Sequence, residues 1–167
     1  MEHVLQELKR RKYRSLKTIY GSGSSKTKQQ NSWLVNKVKS NETLFNNIDV
    51  IQDILYLTQQ LLDKDASIQN KFKAGKPVFT KAVVLGIKAL LMAKGYYNQL
   101  TAFIVDSIVS TLAEKVYDWI SDKIINRIQG KGIYILLDGK IYELIPEYYR
   151  LLIKQYFNEL QNQLNSL

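Results

Sequence analysis

Apolar positions recur every three or four residues through most of this chain, and only one short stretch alternates. After Ser40-Asn41-Glu42-Thr43, a cluster of N-cap residue types, come Leu44, Ile48, Ile51, Leu55 and Leu62, with Thr58 filling the gap. This spacing predicts an amphipathic helix over about 43–63, ended by Asp63-Lys64-Asp65. Residues 66–76 read as polar and basic, with no helix assigned. Pro77 then sits where a first helical turn tolerates it, opening a helix over about 77–94, and Gly95 marks a kink or break. Leu100, Ile104, Ile108, Leu112, Val116, Ile120, Ile124 and Ile128 repeat every four residues and predict the longest helix, about 97–129, closed by Gly130 and Gly132. Strict four-residue spacing drifts around a 3.6-residue helix, so this stripe has to wrap or meet several neighbours.

Alternation appears once. Ile133–Leu137 and Lys140–Leu144 flank Asp138-Gly139, the favoured type I′ turn, and predict a hairpin over 133–144. Pro146 opens a last helix over about 146–164, with Tyr149, Ile153, Tyr156, Leu160 and Leu164 on one face. The expected fold class is all-α: a bundle of about four helices with one small hairpin. The body spans 41–167, long enough to bury a core, and an N-terminal segment, 1–40, stands apart from it.

That segment is distinguished by charge. Its ten cations (Lys9, Arg10, Arg11, Lys12, Arg14, Lys17, Lys26, Lys28, Lys37 and Lys39) face only Glu2 and Glu7, a balance of +8, while the remaining 127 residues balance to +1. A near-neutral body with a cationic arm is the usual layout of a protein that holds a polyanion. Residues 2–20 place Leu5, Leu8, Leu16 and Ile19 near one helical face, but crowded like charges and short length make such a helix marginal without a partner. Gly21-Ser22-Gly23-Ser24-Ser25 is a flexible joint by composition, and Trp33-Leu34-Val35 with Val38 suggests a second arm helix.

A second cationic stretch supports the first. Between Ala66 and Val105 stand Lys71, Lys73, Lys76, Lys81, Lys88 and Lys94 with no acid. We take the arm together with Lys71, Lys73 and Lys76 as candidate nucleic-acid contacts. Ten arm charges match the phosphates along about 17 Å of duplex; Ser15, Thr18, Ser22, Ser24 and Thr27 add neutral donors. Tyr13, Tyr20 and Trp33 are available to stack on bases or to pack. The bland alternative is that both stretches are solubility charges.

Catalytic chemistry finds little support. The chain has no cysteine and one histidine, His3, beside the terminus, which excludes Cys-His and Ser-His nucleophile pairs. Gly21–Ser25 before Lys26-Thr27 lacks the Walker A spacing and a preceding strand. Glu114, Asp118 and Asp122 lie one turn apart, but Lys115 and Lys123 interleave with them, as on a solvated face; Asp49 and Asp53 read the same way. Neither metal nor cofactor is expected. Nor is a transmembrane span: the most apolar stretch, Ala82–Val105, is interrupted by Lys88 and Lys94, and its longest charge-free piece has 11 residues. No zinc finger, RNP motif or KH loop is present, so binding should follow phosphate charge and shape. Membrane surface is the rival polyanion, but residues 4–20 lack Phe or Trp on the apolar side. A dimeric DNA-binding regulator is the other alternative. Tyr96, Tyr97, Tyr148 and Tyr149 are candidate interface residues, or pack within the subunit.

With Lys9-Arg10-Arg11-Lys12-Tyr13-Arg14, the Gly21–Ser25 joint and apolar helices from about 43 onward, the chain resembles the major coat proteins of filamentous and rod-shaped archaeal DNA viruses. The resemblance is architectural and rests on no diagnostic motif. It implies a virion structural protein whose helical arm wraps double-stranded DNA without sequence preference. It also implies homodimers, or pairs with a related coat subunit, packed into a helical filament, with contact to a membrane envelope where one is present. The 133–144 hairpin is not part of that pattern.

Overall fold

The computed structural model describes residues 32–129 and 146–167, and every regular element among them is helical. In chain order these are α1 (Ser32–Lys39), α2 (Glu42–Asn46), α3 (Ile48–Lys64), α4 (Ala66–Ala74), α5 (Lys76–Ala93), α6 (Gln99–Ile104), a π turn (Val105–Val109), α7 (Ser110–Gln129) and α8 (Pro146–Asn165). The hairpin expected over 133–144 lies outside the described residues, as do Gly130 and Gly132. Helices α3, α5, α7 and α8 pack in a closed ring, each on two of the others, so the four long apolar-periodic segments do form a bundle.

Three elements depart from the sequence reading. The helix expected over 43–63 is two helices. Asn41 caps α2 by accepting from the Leu44 amide at 3.1 Å. Asn47 then leaves helical geometry, its side-chain amide donating to the Thr43 carbonyl at 2.8 Å. Asn competes locally for backbone groups, which makes it an effective breaker. Within α3, Thr58 is fully buried and its hydroxyl donates to the Ile54 carbonyl at 2.8 Å, so a polar residue fills an apolar slot without an orphaned donor.

Residues 66–74, read as polar, form α4. Asp65 is its N-cap, with Oδ1 accepting from the Ser67 amide at 2.9 Å and the Ser67 hydroxyl at 2.7 Å. Gly75 ends it at φ 118°, a backbone conformation that side chains disfavour. Only Ile68 and Phe72 are buried, one turn apart, and Phe72 carries most of the anchoring. Its ring lies 4.5 Å from Tyr117, 5.3 Å from Phe79 and 5.9 Å from Tyr149, measured between centroids. One aromatic residue thus ties α4 to α5, α7 and α8.

The third departure resolves the drifting stripe. A four-residue step overshoots one turn of an ideal helix by about 40°. The π turn at Val105–Val109, where the Ser110 amide donates to the Val105 carbonyl, lets one extra residue into the turn and resets the phase. Ile104, Ile108, Leu112, Val116, Ile120 and Ile124 consequently all stay fully buried. Asn98 and Thr101 start this long helix with a reciprocal capping pair, both bonds at 2.9 Å.

Candidate polyanion-binding surface

Eight of the candidate contacts (Lys9, Arg10, Arg11, Lys12, Arg14, Lys17, Lys26 and Lys28) lie outside the described residues, with Tyr13, Tyr20 and the Gly21–Ser25 joint. Lys37 and Lys39 occupy the last turn of α1 and are exposed. Lys71 and Lys73 occupy the last turn of α4 and are also exposed. Cations at helix C-termini are favoured by the helix dipole, so each pair has a local stabilising reason to be there.

Residues 32–39, grouped with the arm by sequence, are anchored on the body. Leu34 and Val38, one turn apart, are fully buried, and α1 packs on α2 and α8. Trp33 is half-buried, with the Lys115 ammonium 5.5 Å from its ring centre. Lys123 stands likewise 5.4 Å from the ring of Trp119, which in turn lies 5.4 Å from Tyr156. Trp33 is thus a packing residue, its face occupied by a cation. The Trp119–Lys123 spacing of four residues was the available sequence signal for one of these contacts; the Trp33–Lys115 contact joins distant segments and had none.

The second cationic stretch is smaller in space than in sequence. Lys76 Nζ lies 3.0 Å from Asp118 of α7, and Lys88 Nζ lies 3.0 Å from Asp106 of the π turn. The hydrogen bond to Asp106 raises the Lys88 pKa above the ordinary lysine value. Lys71, Lys73, Lys81 and Lys94 remain as exposed cations without an ion pair among the described residues.

One expectation about polar residues is corrected. Asp53 does not sit on a solvated face: it is buried within α3. Burial raises the pKa of Tyr96, and the Asp53 carboxylate adds to the effect. Of the four tyrosines considered for an interface, Tyr96 and Tyr149 are core residues. Tyr97 is exposed, and Tyr148 is half-buried with its hydroxyl donating to the Lys123 carbonyl at 3.4 Å. Glu114, Asp118 and Asp122 are exposed, as expected. Among the described residues no group of three or more His, Cys, Asp or Glu is placed to hold a metal ion.

A groove of about 340 Å³ between α3 and α8 is lined by Tyr56, Gln59, Asp63, Arg150, Lys154 and Gln161, among others. Arg150 Nε reaches Asp63 at 4.0 Å. No helix among the described residues is long and apolar enough to cross a membrane. Compared with protein-family models, curated proteins and solved structures, the chain finds no match.

Proposed function

We propose that this protein is a non-enzymatic coat for nucleic acid, most specifically a virion major coat protein. In this reading the basic arm wraps double-stranded DNA without sequence preference, and the helical body assembles into a filament. The observation that carries the reading is the +8 balance of the first 40 residues beside a near-neutral body. The ion pairs of Lys76 and Lys88 sharpen the contrast, because they remove charge from the body's one lysine-rich stretch.

The test measures duplex affinity against salt for the full chain and for a variant with Lys9, Arg10, Arg11, Lys12 and Arg14 changed to Gln. Substitution is preferable to deletion through residue 39, which would remove the buried Leu34 and Val38. Each phosphate contact contributes about 0.9 to the slope of log affinity against log salt. The variant should therefore lose up to about 4.5 of that slope. A flat slope for the unmodified chain, or an unchanged slope for the variant, refutes the reading. Competition with random-sequence duplex separates a coat, which discriminates little, from a sequence-reading regulator.

A further inference from the structure

Helix α5 is apolar on both sides. Its inner face buries Phe79, Val83, Ile87 and Leu91. Its outer face presents Val78, Leu85 and Met92 at 42%, 54% and 58% exposure, seven residues apart. Ala82 and Ala89 fall between them, so the stripe reads Val78, Ala82, Leu85, Ala89, Met92 with steps of four, three, four and three. That is the seam spacing of paired helices. A helix apolar all round belongs in an interior, and the described residues of this subunit cover only half of it.

We infer that the outer face of α5 is a self-association surface that takes the same helix of a second copy in antiparallel orientation. The occupant follows from the order of sizes along the stripe. In an antiparallel pair whose twofold axis passes level with Ile87, Leu85 faces the partner's Ala89 and Met92 faces the partner's Ala82. Every alanine then receives a large side chain, the alternation that lets layers interdigitate. A parallel pair would set Ala on Ala and Leu on Leu. A lipid surface gains nothing from alternating alanines. The chain's own segment 2–20 would bring six cations to an edge already carrying Lys81 and Lys88.

Charge at the same axis is limited by an ion pair within each copy. A twofold across the stripe keeps the lysine edge of both copies on one side, and Lys88 is one residue from its centre. Lys88 enters the contact already paired with Asp106, 3.0 Å away, which limits its repulsion with the partner's Lys88. Val78 comes level with the partner's α5–α6 corner, where Tyr97 is exposed.

The strength of the contact can be bounded. From Val78 to Met92 the stripe runs about 21 Å at 1.5 Å per residue, and a helix is about 10 Å wide. Its footprint, on the order of 200 Å², falls short of the roughly 800 Å² per partner of a standard stable interface, even with Tyr97 added. The pairing is weak between free chains and strengthens when chains are held side by side on a polymer. It supplies the subunit contact that the coat reading requires, and its role in a filament rests on that reading.

The experiment omits nucleic acid, so the surface and the DNA reading fail separately. Sedimentation equilibrium of the full chain up to about 1 mM should show a monomer–dimer equilibrium. Leu85→Glu should weaken it at least about tenfold with unchanged helical circular dichroism, because Leu85 is outside the core. Since the chain has no cysteine, mixing Ala82→Cys with Met92→Cys chains under mild oxidation reads orientation directly. The mixed disulfide should exceed either self-disulfide. A monomer at all concentrations, a Leu85→Glu chain that pairs like the unmodified one, or dominant self-disulfides overturns the inference. So does a Leu85→Glu chain that keeps its dimer but loses binding to phosphatidylglycerol–phosphatidylcholine vesicles, which would assign the stripe to lipid.

Discussion

Helices α5 and α7 lie against each other through equally apolar inner faces, yet their outer faces differ in kind. That of α7 carries Glu114, Lys115, Asp118, Asp122 and Lys123, both signs interspersed. That of α5 carries Val78, Ala82, Leu85, Ala89 and Met92, with lysines confined to one edge. Mixed charge is what a helix presents to water; a regular apolar stripe is what it presents to another helix. Two helices of one bundle thus answer to different neighbours. The apolar one, exposed among the described residues, is the face the proposed pairing would cover.

The largest test of this contrast lies inside. Ile87 of α5 and Ile120 of α7 are both fully buried, so truncating either to Ala should cost about 2–5 kcal/mol in chemical denaturation. Leu85→Ala, at 54% exposure on the same helix, should change subunit stability by no more than about 0.5 kcal/mol, measured at dilution where pairing is absent. A comparable loss at Leu85 would show that the outer face is covered within the subunit.

A smaller effect concerns α4, whose Phe72 seats between α5 and α7. Asp65→Ala removes the cap of that helix and should cost about 1 kcal/mol at neutral pH. The hydrogen bond from the Ser67 hydroxyl holds the Asp65 carboxyl below its ordinary value of 3.8, despite some burial. A depressed folded-state pKa stabilises above the unfolded pKa and is lost as pH falls through the folded one. The stability gap between the unmodified chain and the Asp65→Ala variant should therefore close below about pH 4. A gap that persists in acid would show that the carboxylate is not the source.

The smallest effect belongs to the tie between the two helices. Lys76 and Asp118 are 40% and 58% exposed, so Asp118→Asn should cost under about 1 kcal/mol and should vanish in high salt. A larger, salt-insensitive loss would mean that α5 and α7 depend on charge at their shared edge.

Local periodicity by itself determined most helix positions and the inner faces of α3, α7 and α8, and a count showed the concentration of charge before residue 40. These follow from the repeat of one chain segment and from counting. It did not reveal α4, because Ile68 and Phe72 are only two apolar residues in a basic stretch, and Phe72 is decisive only where Tyr117 and Tyr149 meet it. It joined α2 to α3, since Asn47 breaks a helix through a side-chain bond that no apolar pattern records. For the candidate surface, it named the lysines but not their state. Lys76 and Lys88 are paired with acids 42 and 18 residues further on. Burial of Asp53, Tyr96 and Tyr149, the anchoring of residues 32–39 on α8, and the uncovered stripe on α5 were likewise decided by tertiary structure. The physical reason is common to all: periodicity states which faces are apolar, while the covering of a face depends on helices brought to it from elsewhere in the chain.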